Sequence, residues 1–255
     1  MTNQTQELPR VERGQSYLVV PYGERELSVA HPLSGPNAYV ETGKDLFSRD
    51  LSMPTGVETA FVLDEIYNSK NDDFKSSPEA ENVRDVMKNN YLWVRNRNIW
   101  TKQDAKNPGV YIVYDNKAEG VSAPFNLSEL EDRLSGGSVE RGVRFSKDRV
   151  VSFAPANTFS LGKQSSKDLS QSGFVIANYG VEGAEKLSKV ASVFAGNPYI
   201  YGVSGNNEDV QRVACLNRSW SLDVRLGLDG NDFDSGRVGF SFGVRSAGEA
   251  SMAKK

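Results

Sequence analysis

In the stretch SLDVRLGLD, residues Ser221 to Asp229, an aliphatic side chain stands at every second position: Leu222, Val224, Leu226 and Leu228. Ser221, Asp223, Arg225, Gly227 and Asp229 fill the places between. Successive side chains of a strand point to opposite faces, so this stretch predicts a β-strand with one face in the core and one in water. DGND then supplies turn residues. RVGFSFGVR alternates again, with Val238, Phe240, Phe242 and Val244 on one face and Arg237, Gly239, Ser241, Gly243 and Arg245 on the other. Its glycines point to close backbone approach or a bend.

Upstream, helix and strand signals mix. SYLVVPYG (16–23) reads as a strand, and HPLSGPNAYVETGKD (31–45) as a loop with a short strand. Thr55 followed by Glu58 is a capping box. Behind it Val57, Ala60, Phe61, Leu63, Ile66 and Tyr67 recur at helical spacing. Ser77-Pro78 opens a second helix with Val83, Val86 and Met87 on its apolar face. YLWVRN and GVYIVYD read as strands, Ser128 and Glu131 as a capping box, and 142–155 as a hairpin or bent strand pair. GFVIANYG is a strand or the entry to a helix carrying Ala184, Leu187, Val190, Ala191 and Phe194, which Gly196 and Pro198 end. PYIYGVSG and three strand-like runs follow. Helices among many short strands, with strands clustered at the end, predict an α+β fold. Residues 1–15 are expected to be a flexible lead-in, 16–245 one domain with insertions and 246–255 a disordered tail. The polar stretch 164–172 is the one candidate boundary.

Composition removes several functions. The 255 residues carry a net charge of −3, without the basic face of a nucleic-acid binder. Trp93 and Trp100 flank VRNRNI, which reads as core packing with exposed arginines. No apolar run is long enough to span a bilayer, and the first residues lack a secretory h-region. The chain is therefore expected in the cytoplasm or packaged in a virus particle. Cys215 is the sole cysteine, so no intrachain disulfide exists, and it reads as a buried, inert thiol. His31 is the sole histidine, in a proline-rich context. Zinc sites of several Cys or His ligands are thereby excluded, and a Ser-His-Asp triad would have to use His31. No metal, cofactor or catalytic residue is expected.

The polar set near the end is Asn217, Ser219, Ser221, Asp223, Arg225, Gly227, Asp229, Asn231, Asp232 and Asp234. Each is reached from an asparagine codon by changing adenines alone. Lys, Glu, Gln, Met and Trp are not, and residues 216–245 contain no Lys, Glu, Gln or Met. The alternating segment, its RSW entry and its VGFSFGVR closing block resemble the variable proteins of diversity-generating retroelements, of the archaeal or archaeal-virus kind. The resemblance is most specific over 212–245. It implies a C-type lectin fold of the formylglycine-generating-enzyme type, with few helices and short, mainly antiparallel strands. It also implies that a reverse transcriptase, erring at adenines, rewrites the outward positions while Leu222, Val224, Leu226, Phe240 and Phe242 hold the core. Trp220, which adenine changes cannot reach, then belongs to the scaffold.

On that reading the ten polar residues display a surface that binds a protein or glycan non-covalently, without catalysis. Three alternatives stand beside it. Asp229, Asn231, Asp232 and Asp234 cluster oxygen ligands suited to calcium, though without the full EF-hand spacing. A carboxylate hydrolase is compatible with the many Asp and Glu residues, although no pair is singled out by spacing. A structural virion or cell-surface component would carry the same C-terminal sheet unvaried.

Overall fold

The computed structural model describes residues 9–12, 17–218, 224–230 and 238–245. The expected disordered tail, 246–255, and Leu222 and Trp220 lie outside them. The strands are β1 (Arg10–Glu12), β2 (Tyr17–Tyr22), β3 (Arg25–Asn37), β4 (Tyr91–Trp100), β5 (Gly109–Tyr114), β6 (Ser138–Glu140), β7 (Val143–Phe145), β8 (Val151–Pro155), β9 (Gly162–Lys163), β10 (Tyr199–Tyr201), β11 (Val210–Arg218), β12 (Leu226–Asp229) and β13 (Gly239–Arg245). The α-helices are α1 (Tyr39–Ser48), α2 (Gly56–Asn68), α3 (Asp72–Lys75), α4 (Pro78–Asn89), α5 (Leu127–Leu134), α6 (Ser166–Leu169) and α7 (Gly173–Val193). The fold is α+β.

The sheet runs β1-β2-β3-β13-β4-β11-β12-β10-β9, and β5, β8, β7 and β6 branch from β4. Its ladders are antiparallel except β10 with β12 and β13 with β4. β4 holds the branch. Tyr91 and Leu92 pair with β13, whereas Asn96–Trp100 pair with β5. β11 lines its other side, with a register shift between Val213 and Ala214.

Local signals explain several elements. Thr55 Oγ1 accepts from the Glu58 N–H at 3.2 Å, and the Glu58 carboxylate accepts from the Thr55 N–H at 2.8 Å. This is the expected capping box. Ser77 caps α4, with Pro78 in its first turn. The apolar stripes of α2, α4 and α7 pack on one sheet face; Leu63, Ile66, Val83, Leu187, Leu216 and Leu228 are fully buried there. On the other face α1 brings Tyr39 and Leu46 against Trp93, Val213 and Cys215, the last a buried thiol as expected. α5 covers β5 and β8 through Leu130 and Leu134.

Other expectations need correction. Residues 31–45 are not a loop: β3 runs through Pro32 and Pro36, and α1 follows at once. Sheet pairing to β13, at Ser34 and Asn37, outweighs the proline and glycine signals there. Strands of 13 and 10 residues, β3 and β4, are longer than expected. His31 sits within β3. Asn126, not Ser128, caps α5, accepting from the Ser128 N–H. Glu131 instead pairs with Arg144. Residues 10–12 of the lead-in form an edge strand on β2. Of the two readings of GFVIANYG the helix entry holds, and α7 breaks at Gly180, where φ is 69°. The stretch 164–172 is no boundary, because Leu169 is fully buried in the main core. The glycines of β13 do mark close approach: a Cβ on Gly239 would lie 2.8 Å from Tyr91 O, and one on Gly243 2.6 Å from Leu51.

Candidate functional site

Residues paired directly across a ladder share a face of the sheet. Asn217 pairs with Gly227 and Cys215 with Asp229. Tyr199 pairs with Gly227 and Tyr201 with Asp229. One face of β11, β12 and β10 therefore carries Asn217, Gly227, Asp229, Tyr199 and Tyr201. The opposite face carries Leu216, Leu228 and Ile200, all fully buried. Arg225 joins the first set: its guanidinium stands 4.7 Å over the Tyr199 ring. The Tyr199 and Tyr201 rings lie 4.3 Å apart, tilted by 38°. A sheet face with two adjacent tyrosines and an arginine over one of them combines apolar area with polar tips, which suits recognition.

Four of the ten polar candidates thus come together. Their setting differs from the sequence expectation of a wet face. Asn217, Gly227 and Asp229 are buried, and Arg225 is half-buried. Side chains from both flanking strands reach over this face: β12 lies between β11 and β10, which carry Asn217 and Tyr201. Gly227 is roofed by Asn217 and Tyr201, whose atoms lie 2.3 and 3.4 Å from where its Cβ would be. Asn217 Oδ1 and Arg225 Nε are buried with no hydrogen-bond partner among the described residues. Ser219, Ser221, Asp223, Asn231, Asp232 and Asp234 lie outside the described residues. Of the inward set, Leu226 and Phe242 are fully buried, whereas Val224 and Phe240 are half-buried. Val238 is exposed. Among the described residues, no three of His, Cys, Asp or Glu are grouped to hold a metal ion. Of the proposed calcium ligands only Asp229 is described, and it is buried.

Tyr199 and Tyr201 were not singled out by sequence reasoning. The signal was present in PYIYG, where Ile200 between two tyrosines is itself a period-two pattern.

Arg95 and Arg97 are likewise not exposed. Arg95 is spent on the carbonyls of Asp115 (2.9 Å), Met53 (3.4 Å) and Asn116, and it stacks on Phe47 and Tyr114. Arg97 donates to Ala123 O and to the Gln211 side chain. These guanidiniums brace the interior and present no phosphate-binding surface.

A cavity of about 690 Å³ opens where α2 begins and α7 breaks. Glu58, Glu140, Asp148, Glu182 and Glu185 line it. Most are committed: Glu58 caps α2, Glu140 pairs with Arg149, Asp148 with Arg133 and Glu185 with Arg141. The Ser146 hydroxyl first, and Arg133 as well, hold the Asp148 carboxyl down at about 2. Arg149 holds Glu140 below the usual carboxylate range. General acids need raised values, so neither is suited to proton donation at neutral pH.

No described helix is long and apolar enough to cross a membrane. No protein-family model matches the chain. No curated protein matches it either. Among solved structures it is similar to one described as "Accommodation of massive sequence variation in Nanoarchaeota by the C-type lectin fold". Identity is 15%, 82% of this chain and 94% of that chain are covered, and the TM-score is 0.45.

Proposed function

We propose that the chain is a non-enzymatic binding protein of C-type lectin-like fold, whose C-terminal segment is diversified by a retroelement to recognise a protein or glycan. One observation carries this reading. Leu216, Leu226 and Leu228 are locked in the core, while the alternate positions Asn217, Arg225, Gly227 and Asp229 gather on one face beside Tyr199 and Tyr201. Core substitutions cost several kcal/mol, whereas most surface ones stay within about 0.5 kcal/mol. A sequence that varies only at solvent-facing positions between the leucines therefore keeps its fold.

The burial of Asn217, Gly227 and Asp229 refines the reading. Variation belongs chiefly to the codons of Ser219, Ser221, Asp223, Arg225, Asn231, Asp232 and Asp234, and is restricted at the three buried positions. The same burial favours a second reading, a structural virion or cell-surface component whose sheet does not vary.

Deep sequencing of codons 211–245 from the source population separates the two. Substitutions concentrated at adenine-bearing codons, with a template repeat and a reverse transcriptase gene nearby, support diversification. Codons as invariant as those of the leucines between them refute it and leave the structural component.

A further inference from the structure

A second cavity of about 690 Å³ lies where the ends of α2 and α7 meet the end of β11. Arg218 and Val224, the residues on either side of 219–223, form part of its wall. The rest comes from elements far from the segment. Ile66 and Tyr67 close the floor from α2, and Phe194 packs edge-on against Tyr67 at 5.3 Å between ring centres. Val193, at 52% exposure, leaves an apolar lip in solvent. The Gly196 N–H bonds Val224 O at 2.7 Å, tying the wall to the end of α7. Such a site is preformed, with apolar patches at Ile66, Val193, Phe194 and Val224 among charged side chains.

Two of its polar groups are guanidiniums, Arg84 and Arg218. Arg84 is fixed to the pocket wall by bonds to Ile66 O (3.1 Å) and Lys75 O (2.8 Å). A guanidinium has five N–H donors, so donors remain. Arg218 stands 5.9 Å over the Phe194 ring. Burial pushes the Tyr67 hydroxyl up to about 12; Arg218 and Arg84 pull against that rise, and the Asp85 carboxylate adds to it. Lys75, Asp72 and Glu81 also line the cavity, giving three cations against two carboxylates.

We propose that this cavity is an anchor pocket for a protein partner, taking an aromatic or aliphatic side chain with a neighbouring Asp or Glu carboxylate. The apolar group rests on Phe194, Val193 and Val224, and the carboxylate meets Arg84 and Arg218. Arginine recognises a carboxylate with paired, charge-assisted bonds. The inference rests on the ligand-binding reading above and makes the partner a protein. It does not require diversification, because most of the pocket comes from outside the segment.

The test uses the full chain labelled with ¹⁵N and three capped dipeptide amides: Phe-Glu, Phe-Gln and Gly-Glu. Phe-Glu is expected to shift the amides of Arg84 and of residues 193–195, with millimolar affinity for so small a probe. Phe-Gln should bind at least about fivefold more weakly, the loss of one charge-assisted contact. Val193→Asp, at an exposed position, should abolish the response while leaving the rest of the spectrum unchanged. Equal responses to Phe-Glu and Phe-Gln, an unaffected Val193→Asp variant, or no shift at these amides overturns the pocket. A silent pocket in a chain whose segment varies refutes this inference alone. A responsive pocket in a chain whose segment is invariant supports it and refutes diversification alone.

Discussion

Asn217 and Gly227 face each other across the ladder of β11 and β12, and a Cβ on Gly227 would lie 2.3 Å from Asn217 Oδ1. Both positions belong to the polar set that the sequence marks for change, yet the space between them is shared. Gly227→Ala should therefore cost about 1–3 kcal/mol through overpacking. Asn217→Ala alone frees the volume and removes a buried oxygen that has no partner among the described residues, so its cost should be smaller. In the double variant Asn217→Ala/Gly227→Ala the penalty at 227 should largely vanish, a coupling of about 1–2 kcal/mol. Urea unfolding of the four proteins measures it. Additive costs would mean that the strand separates to admit the methyl group.

β12 also predicts a sharp contrast between neighbours. Leu226 is fully buried in the main core, and Leu226→Ala should cost about 2–5 kcal/mol. Arg225, one residue earlier, is half-buried and touches Tyr199 through its guanidinium face. Arg225→Ser should cost only about 0.5–1 kcal/mol, the worth of a partly exposed cation–π contact. Thermal denaturation of both variants decides the point. Equal losses would refute the division between fixed and variable positions.

The elements legible in the sequence were those whose signals are local. The capping box at Thr55, Ser77-Pro78 and the aromatic runs of β4 and β5 depend on neighbouring residues alone. α1 was missed because Ala38 offers no side-chain cap, and the packing of Gly43 against Ala118 cannot be seen in a linear chain. The alternation over 221–229 gave Leu226 and Leu228 correctly as inward, while Leu222 lies outside the described residues. It gave the wrong exposure for Gly227 and Asp229, since period two says which residues share a face and not what covers that face. That β10 pairs parallel to β12 is a tertiary fact, and it brings Tyr199 and Tyr201 to the site.

Acid should weaken the turn that joins β7 and β8. Asp148 accepts from the Ser146 hydroxyl at 2.6 Å and from the Val150 N–H at 3.1 Å, and it pairs with Arg133 at 2.7 Å. These bonds lower its carboxyl from the ordinary 3.8 to about 2. A depressed folded-state value means that the stabilisation is complete above 3.8 and is lost as the pH falls to about 2. The side chain is 53% exposed, so the effect is modest. Asp148→Asn should be less stable than the parent at neutral pH, and the gap should close across that acid window. Urea midpoints measured against pH check it. A gap that persists at the acid end would assign the loss to the turn's shape instead of its charge.

Arg95 should prove irreplaceable even by lysine. Its guanidinium lies between the rings of Phe47 and Tyr114 and satisfies carbonyls of Asp115, Met53 and Asn116. It thereby fastens the segment after β5 and the segment before α2 to β4. A lysine ammonium keeps the charge but lacks the planar fork, and it cannot reach three carbonyls while lying flat between two rings. Arg95→Lys should therefore cost about 2–4 kcal/mol, since carbonyls and a charge are left buried without full partners. Arg95→Met removes the buried charge while keeping much of the apolar stem, and it should cost no more than the lysine. That ordering, read from urea unfolding, is the discriminating result. A lysine variant as stable as the parent would show that charge alone suffices there, and that the stacking and the carbonyl bonds contribute little.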